Sequence, residues 1–539
     1  MTVGSLYQIN NLNQNITTHF LEANPQISFY KIVYRKHSRF AMENIQFDNL
    51  SRHTLDYDDN VIIKCDIPRN GDLLKSLYFT FELPNIYSGK KTTNNINSNY
   101  EFKWIKNIGL NIFNHIKLKF NEQEIDKLYT DYLNIWKELN LEGAEKDIFN
   151  ENIGHIPELY DPKNSPGQNG NYPHITNNDQ YDKYIGKNIE LTGNKIVFNN
   201  SNIMENKTEN YSNSIFPSIL GRKIKVPLSF YFCNNSGLAI PLIALQYTTI
   251  SLEFEMKKFQ DLYTIIDTKY TESSKSFNKR IKPGSDDHHQ INNFTNNYNY
   301  NIKPNVEGEY IFLGTDEQAR FAKYDHEYLI EQSKITNKDG LEIKNNKQET
   351  NTKIIGFNPI KYLVWVVKRD DFKHINEWSN YTNWINPDIP PYSNEYIYSE
   401  QFYNLNSTKH VFYNPSISTH KNLYNIANLK KHILTNVKLD LDGITRIDKD
   451  GDYFSKQQIY QHFKKNTNGI YVYSFSLNPL EFQPSGSCNF TNIHTAKMYF
   501  KKDLHTDNFN EHNYKAYIYL ISYNILVIKS GQGGLKFVN

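Results

Sequence analysis

DLLKSLYFTFEL (Asp72–Leu83) carries the pattern that decides the fold class. Leu77, Phe79, Phe81 and Leu83 share one parity, while Ser76, Thr80 and Glu82 share the other, so a pleated strand here has one apolar and one polar face. The run follows the turn-forming Arg69-Asn70-Gly71-Asp72, as a strand after a corner would. The same period of two recurs in Ile116, Leu118 and Phe120 against Lys117 and Lys119. It recurs again in Ile250, Leu252, Phe254 and Met256 against Ser251, Glu253 and Glu255, and in Tyr471, Tyr473, Phe475 and Leu477 against Ser474 and Ser476. Half-solvated strands of this kind belong to antiparallel sheets.

The composition agrees. The 539 residues include 40 Tyr, 32 Phe and 5 Trp, and aromatic side chains fit half-buried pleated surfaces. One helix is expected between strands, because Ile125, Leu128, Tyr132, Ile135, Trp136 and Leu139 fall on one helical face with Asp126 placed to lead its first turn. Stretches rich in Asn, Tyr, Gly and Ser divide the chain. The expected plan is an all-β chain of two tandem antiparallel β-sandwiches with short helices in loops. An N-terminal arm covers 1–24, and a first sandwich covers 25–257 with a surface insertion at about 160–213. A polar linker follows at 258–306, then a second sandwich at 307–539.

Charge and motifs exclude several function classes. Sixty Lys and Arg against 58 Asp and Glu leave a net charge of +2, too little to coat nucleic acid, so no direct nucleic-acid partner is expected. Cys65, Cys233 and Cys488 are too scattered for a disulfide framework or a zinc site. The start lacks a secretory signal, and LAIPLIAL (Leu238–Leu245) and YIYLISYNILVI (Tyr517–Ile528) are shorter than the ~20 apolar residues of a membrane-spanning helix. There is no GxSxG elbow and no GxxxxGK[ST] loop, and His326-Glu327 has Ile330 where a zincin needs its second His. SGQGG (Ser530–Gly534) reads as a glycine-rich turn, and DKDGDY (Asp448–Tyr453) as an inter-strand turn rather than a calcium loop, since Tyr453 and Ile459 occupy the positions that need Gly and Glu. Asp286-Asp287-His288-His289 reads as an exposed loop, and Cys488 with His494 as an inert thiol near an imidazole. No catalytic residue, cofactor or metal is expected. One contact segment is: Lys31, Tyr34, Arg35, Lys36 and Arg39, where cations alternate with aromatic rings.

Six segments, in order along the chain, resemble the major capsid proteins of nucleocytoplasmic large DNA viruses. They are NPQISFYKIVYRKHSRFA (Asn24–Ala41), IPRNGDLL (Ile67–Leu74), IPLIALQY (Ile240–Tyr247), YIFLGTDEQARFAKYDHEYLIEQ (Tyr310–Gln332), NGIYVYSFSLNPLEFQPSGSCNF (Asn468–Phe490) and YNILVIKSGQGGLKFVN (Tyr523–Asn539). The resemblance implies a double jelly-roll protomer that forms a pseudo-hexameric homotrimer. Such trimers would tile an icosahedral shell beside neighbouring capsomers, with minor capsid proteins and an internal membrane surface beneath. It also implies a structural, non-enzymatic protein of the virion, assembled in the host cytoplasm. The insertion is then expected on the outer face and the Lys31–Arg39 segment on the inner one. The competing readings are a minor capsid or fibre paralogue and a β-sandwich carbohydrate-binding protein.

Overall fold

The computed structural model describes residues 24–47, 49–86, 100–168, 172–173, 189–192, 195–198, 218–267, 280–281, 299–344, 347–370, 372–383, 431–465, 467–502 and 513–538. The first sandwich pairs two antiparallel sheets. Its strands are β1 (Phe40–Phe47), β2 (Val61–Asp66), β3 (Leu73–Glu82), β4 (Phe113–Phe120) and β5 (Gln123–Tyr129), then helix α1 (Thr130–Asn140), β6 (Lys223–Pro227), β7 (Ile250–Met256) and β8 (Asn305–Leu313). One sheet runs in the order β1-β8-β3-β6 and the other β2-β7-β4-β5. Their apolar faces meet in an aromatic core, with the Phe79 ring 4.8 Å from Phe254 and 5.2 Å from Phe113. The residues of the decisive strand behave as their parity requires: Leu77, Phe79 and Phe81 are at most 1% exposed. A bulge at Lys75 shifts the register between β3 and β8, which lets Leu74 share the buried face with Leu77 although their parities differ.

The second sandwich follows helix α2 (Thr315–Lys323). Its strands are β9 (His326–Ile335), β10 (Glu349–Ile354), β11 (Pro359–Arg369), β12 (Leu434–Leu441), β13 (Ile444–Asp450), β14 (Ile470–Ser474), β15 (Ala496–Lys502), β16 (Tyr514–Lys529) and β17 (Gln532–Leu535). An inner sheet runs β9-β16-β11-β14, with β17 hydrogen-bonded to β16; an outer sheet runs β10-β15-β12-β13. Leu363, Trp365 and Val367 from β11, Ile518 and Leu520 from β16, and Val437, Met498 and Phe500 from the outer sheet make the second core.

Four features differ from the sequence reading. The expected helix is a strand running into a helix. Ile125, Asp126 and Leu128 belong to β5, and only from Thr130 does the chain coil, carrying Tyr132, Ile135, Trp136 and Leu139. A bulge opposite Leu118 and Lys119 turns Ile125 inward as well as Asp126 and Leu128, which mimics helical spacing. Second, β8 pairs with β1 and β3, so the strand at 305–313 lies in the first sandwich, whereas the sequence pattern starts the second sandwich at 307; the turn at Gly314 leads on to α2. Third, Asp448 and Asp450 lie on the exposed edge strand β13, and the Asp450 carboxylate accepts the Tyr453 N–H (3.0 Å) where a helical segment starts, so DKDGDY is a strand-to-helix junction. Fourth, β14 is not half-solvated. Ile470 and Val472 are as buried as Tyr471, and the pattern ends at Ser474, leaving Leu477 exposed.

Candidate interaction surfaces

The inner sheet of the second sandwich is buried on both faces, and this builds the junction between the two halves. Tyr362, Val364 and Val366 of β11, Tyr519 and Ile521 of β16, and Ile470 and Val472 of β14 point away from their own core and join the core of the first sandwich. The Tyr519 ring lies 6.1 Å from Tyr132 and 6.2 Å from Tyr129. Fully burying such side chains contributes about 1.5–3 kcal/mol each, which fastens the halves into one block. Several polar groups in this wall are matched across it. Lys368, at 2% exposure, donates to the Asp131 carboxylate (2.5 Å), and burial pulls its pKa below the usual lysine range despite that carboxylate. Gln332 Nε2 donates to the Ile125 carbonyl (2.5 Å), and Ser333 Oγ to that of Lys127 (3.1 Å).

A second strap is the segment Phe372–Asn383. Asn376 Nδ2 donates to the carbonyls of Tyr263 (2.7 Å) and Gln260 (3.1 Å), and the Trp378 indole donates to that of Asp261 (3.1 Å). Lys257 sits 4.6 Å from the Trp378 ring centre and donates to the carbonyls of Asn111 and Phe113, each at 2.7 Å. Its burial lowers its pKa to about 7.

Beside this wall lies a cleft of about 470 Å³. Tyr132, Trp136 and Phe149 line it from the first sandwich, and Leu329, Tyr362 and Phe482 from the second. Asp126, Glu145, Glu331, Glu481 and Lys361 supply its charges. The Lys361 ammonium is taken by Glu331. Asp126 is buried, accepts the N–H of Lys127 (2.8 Å), and has its pKa pushed up to about 7 by desolvation.

Four of the six recognised segments meet at one corner. Arg69 donates to the carbonyls of Gln246 (2.9 Å) and Thr248 (2.8 Å), and Tyr310 donates to that of Pro68 (2.7 Å). SGQGG is indeed a turn: Ser530 and Gly531 have φ of 51° and 78° between β16 and β17. It also clasps the first sandwich, since the Tyr247 N–H donates to the Gly531 carbonyl (2.9 Å) and the Gly533 N–H to Thr248 Oγ1 (3.0 Å). A Cβ on Gly533 would come within 2.7 Å of Leu245 and 2.9 Å of Phe120, so the glycine is needed for close approach.

Lys31, Tyr34, Arg35, Lys36 and Arg39 lie together on the arm before β1, all exposed. The arm exposes more than the cations the sequence reading singled out. Ile27 is 68% exposed, Phe29 91%, Tyr30 100% and Val33 76%, and no carboxylate among the described residues pairs with the arm's cations. The insertion at 160–213 lies almost wholly outside the described residues, as does Asp286-Asp287-His288-His289. Burial raises the pKa of Cys65 and of Cys233 to about 12 and also raises that of Cys488, which keeps the thiols protonated. Among the described residues no three His, Cys, Asp or Glu side chains converge as a metal site. The cleft and the buried ion pair were missed because their partners are far apart in sequence. The available signal was a lone lysine ending a continuous apolar run, YLVWVVK (Tyr362–Lys368).

The chain matches the family model described as major capsid protein N-terminus over residues 28–313, and that of the large eukaryotic DNA virus major capsid protein over 317–534. It is 26% identical to the major capsid protein of Phaeocystis pouchetii virus, covering 96% of this chain and 97% of that one. It is likewise 26% identical to the major capsid protein of Paramecium bursaria Chlorella virus 1, covering 96% of each. Among solved structures it is similar to PBCV-1 VP54, with a TM-score of 0.61, 24% identity and coverage of 95% and 100% of the two chains. The Faustovirus major capsid protein aligns with a TM-score of 0.58 at 10% identity, covering 98% and 97%. The two sandwiches are therefore a double jelly roll. The comparisons lend no support to the carbohydrate-binding or fibre readings.

Proposed function

Because this chain belongs to the major capsid protein family of large eukaryotic DNA viruses, a structural component of the virion capsid, we propose that it works by self-association into homotrimers that tile an icosahedral shell. The observation that carries this reading is the doubly buried inner sheet. It makes two barrels behave as one block, so three copies around an axis present six similar barrels and a pseudo-hexagonal outline. A net charge of +2 suits close tiling, because repulsion between many packed copies stays small. On this reading the chain performs no catalysis and contacts no nucleic acid directly. The insertion at about 160–213 decorates the outer face. The segment containing Lys31, Tyr34, Arg35, Lys36 and Arg39 serves the inner side, where neighbouring capsomers, minor capsid proteins and the internal membrane are met, and assembly takes place in the host cytoplasm.

Electron microscopy of the purified chain tests this reading. Triangular-to-hexagonal particles with three-fold averages, passing into hexagonal arrays on concentration, are the expected result. Isolated two-lobed particles at every concentration would contradict it.

A further inference from the structure

Two unsatisfied surfaces on this chain complement each other. The arm Asn24–Arg39 exposes Phe29, Tyr30 and Ile32, the last at 75%, and carries Lys31, Arg35 and Lys36 with no ion-pair partner among the described residues. Leaving such side chains in water forgoes the favourable burial of their apolar area. The cleft between the sandwiches has the opposite character. Its acidic side chains Glu145, Glu331 and Glu481 outnumber its single cation, Lys361, which Glu331 already engages. Among the described residues no cation pairs with Asp126, Glu145 or Glu481. Its rim is apolar and open, with Leu480 39% and Phe482 43% exposed.

We propose that the arm of one copy docks in the inter-barrel cleft of a neighbouring copy of the same oligomer, burying arm aromatic rings against Trp136, Phe149 and Phe482 and setting its cations against Glu145 and Glu481. This rests on the self-association reading and deepens it by naming the contact. A volume of about 470 Å³ lies within the ~300–1,000 Å³ of sites that enclose a small ligand, which suits a few side chains of an extended segment rather than a folded domain. The arm's described stretch, Asn24–Arg39, has 16 residues and, at ~3.3–3.6 Å each, spans up to about 50 Å from its root, where the Gly314 N–H holds the Arg39 carbonyl at 3.0 Å. Among the described residues nothing covers residues 24–38 of the arm, which are all exposed, so the neighbour supplies what these leave open. The match is one of charge as well as of apolar area, and charge complementarity selects partner and register.

The test uses the full chain with a photo-crosslinking phenylalanine at position 30, mixed with isotope-labelled chain and irradiated, the products being mapped by mass spectrometry while light scattering reports the mass. Links between labelled and unlabelled chains, joining the arm to peptides containing Leu329 or Glu481, are expected. The exposed double substitution Glu145→Lys with Glu481→Lys should weaken the oligomer about tenfold, and Arg35→Glu with Lys36→Glu in the same chain should restore it. Trimers whose arm links only to its own cleft, or only to added anionic vesicles, would overturn the docking while leaving self-association intact. A chain that stays monomeric would overturn both.

Discussion

The two sheets of the second sandwich face different neighbours, and their sequences say so. In the outer sheet LTNVKLDL (Leu434–Leu441) and AKMYFKK (Ala496–Lys502) alternate, and Val437, Leu439, Met498 and Phe500 are buried while the residues between them face outward. In the inner sheet YLVWVV (Tyr362–Val367) and YIYLI (Tyr517–Ile521) are apolar without interruption, and both faces are covered. A strand covered on one side needs one apolar parity; a strand serving two cores needs both. The continuous runs therefore mark the wall shared by the two barrels, and the alternating ones mark the outside of the block.

The sharpest break is aimed at the wall. Lys368→Met leaves Asp131 without its cation in a nearly closed site, and removing one partner of a buried pair costs about 3–5 kcal/mol. Chemical denaturation should show that loss, with the first and second sandwiches no longer unfolding in one transition. An unchanged midpoint would mean that the wall does not couple them.

Asp126 sharpens the contrast through pH. Its side chain titrates near the ordinary carboxyl value in the unfolded chain, but burial holds the proton on to about 7 in the folded one. The unfolded state therefore releases its proton first, and stability falls as pH rises from about 4 to 7, by up to about 4 kcal/mol, then levels off. Asp126→Asn should flatten this slope and stabilise the protein at pH 8, read from denaturation midpoints across that range. The smallest effect belongs to the outer sheet. Lys438 lies 3.1 Å from Asp440 on the surface, and Lys438→Met should leave the midpoint of the same denaturation nearly unchanged, because an exposed ion pair is screened by water.

Much of the fold was legible because alternation is local. Leu77, Phe79 and Phe81 announce their face within one strand, as do Ile116, Leu118 and Phe120. The helix at Thr130 was misplaced because a bulge in β5 turned successive side chains inward and imitated a helical stripe. The boundary after Leu313 was hidden because β8 returns across more than 220 residues to pair with β3. The candidate surfaces were legible only in part. Lys31, Arg35 and Lys36 stood out as charges beside rings, and the structure adds that Phe29 and Tyr30 are bare. The Lys368–Asp131 pair joins residues 237 positions apart, and no periodicity within strand β11 or helix α1 encodes that meeting.

Light scattering on the purified full-length chain at increasing concentration addresses self-association most directly. A stable species of about 190 kDa, three times the 63.5 kDa of one chain, is the predicted result. A species that remains at 63.5 kDa at high concentration would contradict it.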